Sequence, residues 1–158
     1  MMRPALFLLP LLLLTACSPP LTVEQRVIHA IREMEALIES GERRAFMAYV
    51  AEDFTAQEGR MNRDQVRALV VFQLRRYERL NGRLFPIAVV ETGPETAEAR
   101  FRALITGGPD WIPDAGQVYD FETWWRLEDG DWRVTGANWD AVPLDEVLDD
   151  LPLPASDP

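Results

Sequence analysis

The chain has 158 residues, 47% of them hydrophobic, and a formal net charge of −10 at pH 7. That suits a single domain with a core of ordinary size, and an acidic body that repels phosphate backbones and so excludes nucleic acid as a partner. All 16 cationic residues are arginine, which excludes a Schiff-base lysine and a Walker-type phosphate loop.

In chain order, Met1 to Pro4 carries Arg3 as its only charge, and an apolar run follows from Ala5 to Leu14. As a helix that run spans about 15 Å against a hydrocarbon core of about 30 Å, too short to cross a membrane. It reads as a secretory signal. Ordinary cleavage after Ala16 wants a small residue where Leu14 stands. Leu14-Thr15-Ala16-Cys17 instead resembles the bacterial lipobox, whose cysteine is acylated and becomes the first mature residue. Residues 1–16 are therefore expected to be a cleaved lipoprotein signal, and 17–21 the lipid anchor and a short linker. Ser18 in place of Asp favours, in the Gram-negative pattern, the outer membrane facing the periplasm. With Cys17 taken by lipid no second cysteine remains, so the domain is expected to fold without disulfides.

Thr22 and Gln25 form a capping box that starts a helix running to about Glu39, with Gly41 as its stop. Val27, Ile31, Met34 and Ile38 mark its apolar face. His29 points away from that face and is expected in solvent near Glu33, not as a base. A second helix is expected over Arg44 to Ala51, turning Phe46, Met47 and Val50 inward, with Asp53 to Gly59 irregular or extended. Asn62 and Gln65 cap a third helix that ends near Asn81-Gly82 and carries Val66, Leu69, Val70, Phe72, Leu74 and Tyr77 on an apolar face. Seven arginines from Arg60 to Arg83 face only Asp64 and Glu78. They read as a solvated face, with headgroup or lipopolysaccharide contact as the alternative.

From Leu84 the pattern becomes strands. Ala97, Ala99, Phe101, Ala103 and Ile105 alternate with polar residues, as do Tyr119, Phe121, Thr123, Trp125 and Leu127, and Trp132 to Asp140 makes the last strand. Gly93-Pro94 and Asp129-Gly130 read as turns. Asp120 and Glu122 lie on the opposite strand face, where Arg100 and Arg102 can pair with them. The loop Gly107 to Gly116 places Trp111 and Ile112 to tuck onto the core edge, to close a pocket or to meet a partner. Residues 143–158 read as a short acidic amphipathic segment with Leu144, Val147, Leu148 and Leu151 inward, then a frayed tail. Three helices followed by a strand meander give the α+β class, with helices on one face of an antiparallel sheet.

The first helix, AYVAEDF, NRDQVRALVVFQLRRY and the ending FETWWRLEDGDWRVTGANWD resemble the nuclear transport factor 2-like (SnoaL-like) superfamily over residues 22–142. The resemblance implies a curved antiparallel sheet wrapped around three N-terminal helices to make a cone-shaped apolar pocket. The superfamily holds isomerases, dehydratases, hydrolases and many non-catalytic members, and fold alone does not choose among them. No motif carries a catalytic set across, so no catalytic residue, metal or cofactor is assigned. The pocket candidates are Tyr119, Thr123, Trp125 and Asn138 as inward residues, with Asp53 and Tyr77 at the mouth. Each has a plain packing role as its competing explanation.

Three readings follow. The first is a lipid-anchored periplasmic domain that binds a small apolar molecule or serves as an accessory. The second is a carboxylate-driven isomerase, dehydratase or hydrolase. The third is a structural module that forms a homodimer through its sheet, with Trp124 as anchor. Two inward carboxylates, or one beside a tyrosine, favour the enzyme; a pocket filled by Trp125, Phe121 and Phe101 favours the others.

Overall fold

The capping box at Thr22 forms as the spacing requires. The Thr22 hydroxyl accepts the Gln25 N–H and the Gln25 side chain accepts the Thr22 N–H, opening α1 over Val23–Glu39. These elements come from a computed structural model that describes residues 20–77, 79–108 and 115–143. The expected lipoprotein signal with Cys17, the loop residues Trp111 and Ile112, and the segment after Pro143 expected to be amphipathic lie outside the described residues. Gly41, at φ 75°, ends α1, and the N–H of Glu42 returns to Leu37 O. Val27, Ala30 and Ile31 are buried, whereas His29 is exposed.

The second helix is shorter than its spacing suggests. α2 covers only Arg43–Ala48, because Val50 already starts β1, Val50–Ala56. A tight turn follows in which Gln57, Glu58 and Gly59 all take positive φ. β2 is Met61–Asn62, and Asn62 caps α3, Arg63–Arg76, through a second capping box with Gln65. The helix does not reach Asn81-Gly82. Tyr77 is already extended, at φ −117° and ψ 129°, and β3 runs over Arg79–Gly93. The reason is pairing: β4, Thr96–Gly108, lies against β3 from Gly93↔Thr96 back to Arg79↔Gly108. A helix continued to Gly82 would leave Ile105–Gly108 of β4 without partners on the β3 side.

β5, Ala115–Glu128, and β6, Asp131–Val142, complete the meander through the Asp129-Gly130 turn, with φ 52° and 91°. The sheet has six strands in the order β2-β1-β6-β5-β4-β3. It is antiparallel except at one place: β1 lies parallel to β6, with Val50↔Val134 and Ala56↔Ala137. The expectation of a wholly antiparallel sheet is corrected there. The helices cover one face, where Val27, Ile31, Met47, Phe54, Val66, Trp125, Trp132 and Val134 form the core.

The β5–β6 register contains the feature that most shapes the interior. Trp125 pairs with Val134, but Trp124 pairs with Gly136, so Thr135 is an extra residue. Its hydroxyl donates to Trp124 O at 3.2 Å. A one-residue bulge reverses the facing of everything beyond it. Trp132 and Val134 point inward before the bulge; Ala137 and Trp139 line the interior after it. On the outer face the charge ladder forms as expected, with Arg100 Nε to Glu122 at 2.9 Å and Arg102 Nε to Asp120 at 2.8 Å.

Candidate ligand cavity

Between the helices and the sheet lies a cavity of about 420 Å³. Strand alternation supplies one wall from Phe101, Ala103 and Ile105 of β4 and from Tyr119, Phe121, Thr123 and Trp125 of β5. α3 supplies Val66, Leu69, Val70 and Gln73, the i, i+3, i+4, i+7 row of one helix face, and Tyr77 follows at its C-terminal cap. α1 adds Ile31, Met34, Glu35 and Ile38 by the same rule. Small residues, Ala103, Gly82 and Gly116, stand among these larger side chains, while the space beside Gly107 is taken by the Tyr77 ring. Asn81 and Gly116 line the cavity and are exposed, so it opens to solvent at the end where β3, β4 and β5 carry their glycines.

The aromatic wall is ordered. Phe101 and Phe121 stack at 5.2 Å between centroids and 12° between planes. Tyr119 meets Phe121 edge-on at 6.2 Å, and Trp139 lies 6.0 Å from Phe121 on its other side. These rings line the cavity without filling it.

Four of the six pocket candidates meet here: Tyr77, Tyr119, Thr123 and Trp125. Two of them spend their polar atoms internally. The Thr123 hydroxyl donates to Ala99 O at 3.1 Å and accepts the Trp125 indole N–H at 2.9 Å. Tyr77 is the end wall, its ring lying where a Cβ on Gly107 would sit 2.5 Å from it. The Arg76 guanidinium lies 5.5 Å from the centroid of the same ring.

Asp53 and Asn138 are elsewhere. Phe54 turns inward from β1, so its neighbour Asp53 faces out, where both carboxylate oxygens accept from Arg126, at 2.9 and 3.2 Å. That hydrogen bond, with the guanidinium charge behind it, holds the Asp53 carboxyl below its ordinary value of 3.8. Asn138 follows the Thr135 bulge and is turned to the outer side, where its side-chain oxygen accepts the Glu58 N–H at 3.0 Å. It steadies the positive-φ turn, together with Gln57, whose amide pairs with Trp139 N–H and O. Phe72 also departs from expectation: at 56% exposure it lies on the outside of α3.

Glu35 is the site residue that sequence reasoning missed. One oxygen accepts from Arg32 at 2.8 Å and the other accepts the Leu84 N–H at 3.3 Å. Its signal was available: Glu35 follows Ile31 by four and precedes Ile38 by three, a charge inside an apolar helical row. Among the described residues no group of three or more His, Cys, Asp or Glu side chains is arranged to hold a metal.

No family profile matches the sequence, and no curated protein matches it either. Solved structures do. A chain from Novosphingobium aromaticivorans, provisionally named a scytalone dehydratase, superposes with a TM-score of 0.67 at 12% identity, over 75% of this chain and 83% of that one. A provisionally named dehydratase of the NTF2-like family from Streptomyces avermitilis gives 0.66 at 16%, over 76% and 96%. An uncharacterised Caulobacter vibrioides protein with a cystatin-like fold gives 0.64 at 16%, over 79% and 93%. At these identities the likeness establishes the fold: α+β, cystatin-like, with helices on a curved sheet, as in NTF2-like proteins.

Proposed function

We propose that this protein is a lipid-anchored envelope domain whose cone-shaped cavity binds a small apolar molecule in a binding or accessory role. The observation that carries this reading is the lining. Its walls are mainly aromatic and aliphatic, with Gln73, Asn81 and Gln117 among them, and Thr123, Trp125 and Glu35 already use polar groups within the protein. Such a surface gains from displacing water with an apolar ligand and presents no paired acid and base.

The test is saturable binding of N-phenyl-1-naphthylamine, whose fluorescence rises in apolar surroundings. Ala103→Leu should lower its affinity while leaving the melting midpoint within a few degrees. Equal fluorescence in native protein and variant would place the probe elsewhere and end this reading.

The lipid anchor rests on Leu14-Thr15-Ala16-Cys17 and has its own test. Cys17→Ser should abolish palmitate incorporation and release the domain from membranes. Equal labelling and retention would refute it.

A second reading, dehydration or isomerisation, draws on Glu35 sharing the cavity with Tyr77 and Tyr119 and on the names of two structural neighbours. It requires Glu35 to leave Arg32 or the Leu84 N–H before moving a proton. Turnover abolished by Glu35→Gln with ligand affinity retained would establish it over the first.

A further inference from the structure

We infer that the cavity takes a single-tailed amphiphile with an anionic head, and that Arg76 and Arg83 at the open end read that head. The inference deepens the binding reading above and rests on it.

The open end differs from the interior in charge. Tyr77 closes one side of it, and Arg76 stands over the Tyr77 ring. Beside the main cavity lies a groove of about 360 Å³ that includes Arg32, Arg83, Glu35, Glu39 and Leu84. Glu35 and Leu84 line both spaces, so the groove continues the mouth.

The acids of that groove are already engaged. Glu35 is held by Arg32 and the Leu84 N–H, and Glu39 accepts the Gly82 N–H at 3.2 Å. Arg76 and Arg83 have no carboxylate partner among the described residues. Arg63 pairs with Glu52, Arg100 with Glu122, Arg102 with Asp120 and Arg126 with Asp53, whereas Arg26, Arg43, Arg44, Arg60 and Arg75 also lack a carboxylate among the described residues; what sets Arg83 and Arg76 apart is place, the one in the groove and the other over the Tyr77 ring. In a protein with 26 acidic residues against 16 arginines, two guanidinium groups left without carboxylates beside an apolar cavity are available to an external anion.

The division of labour follows from solvation. An ionised head cannot follow its tail into the aromatic interior without losing its hydration, so it stays at the mouth. Guanidinium groups suit the oxygens of carboxylate and phosphate alike. The apolar tail takes the volume between α1, α3 and the sheet.

The experiment displaces bound N-phenyl-1-naphthylamine from the full chain with four ligands of one tail: decanoate, decyl phosphate, decanol and decyltrimethylammonium. Ionisation makes a tail more soluble in water, so tighter binding of the anions can come only from the head. Decanoate and decyl phosphate should displace the probe at concentrations about ten-fold below decanol, with the cation weakest. Arg76→Gln with Arg83→Gln should remove that advantage, leave decanol and the melting midpoint unchanged, and be rescued by lysine at both positions. Decanol matching or exceeding the anions would overturn the head assignment while leaving apolar binding intact, as would an equal loss for all four ligands in the double variant. Failure of every ligand and of the probe would overturn both readings together.

Discussion

Asn138 and Asp53 show how one residue's neighbours decide its role. Both are polar residues in strands beside the cavity, and neither reaches it. Asn138→Ala should cost about 1 kcal/mol through the lost hydrogen bond to the Glu58 N–H, and leave probe affinity unchanged. Denaturant unfolding and the probe titration together check this; a change in affinity without a change in stability would return Asn138 to the site. Asp53 has a depressed folded-state pKa, so its contribution is present above the unfolded value near 3.8 and is lost as pH falls through the folded one. Asp53→Asn should therefore lower the melting midpoint slightly at pH 7, and the difference should shrink as pH falls below the unfolded value. Gly107 is constrained differently: a Cβ there would sit 2.5 Å from the Tyr77 ring. Gly107→Ala should destabilise by about 1–3 kcal/mol, and less so in a Tyr77→Ala background, because the two changes share one contact.

Among the elements, those closed by local chemistry follow the sequence and those closed by partners do not. Both capping boxes form where Thr22-Gln25 and Asn62-Gln65 place them, because each needs only residues three apart. The end of α3 and the start of β3 are set by the β4 ladder, so the apolar residues near Leu80 were read as helix. Phe72, expected on the apolar face of α3, is exposed because the helix carries more apolar residues than its buried face holds. The bulge at Thr135 belongs here too. Deleting Thr135 would leave Val134, Ala137 and Trp139 inward and Asn138 outward in unbroken alternation, because the extra residue is the one without a partner on β5. Such a variant should keep a cooperative melt and near-ultraviolet circular dichroism; loss of both would show that the extra residue does more than set the phase.

For the whole molecule, Cys17 is the one cysteine, so no disulfide can close within the chain, and packing is expected to supply the stability. Thermal melts with reductant or with a chelator should overlay the untreated melt, and a fall of more than a few degrees with either would contradict that. The cavity mouth lies toward the C-terminal end of α1, where Glu35 and Ile38 line the cavity, and residues 17–21, the expected anchor and linker, precede Thr22 at the other end. Along the 17 residues of α1 the two ends are about 25 Å apart, whereas the four residues after Cys17 reach at most about 14 Å. If Cys17 is acylated, the mouth reaches the bilayer only when the domain lies on its side.

The helix starts, the Asp129-Gly130 turn, the inward phase of β4 and β5 and the outer charge ladder were determined by the sequence alone. Each depends on spacings of a few residues or on strict alternation. The parallel β1–β6 pairing, the end of α3 and the Thr135 bulge were decided only in the tertiary structure. They satisfy backbone groups and fill space between segments tens of residues apart, and no local pattern records which distant strand will supply the partner.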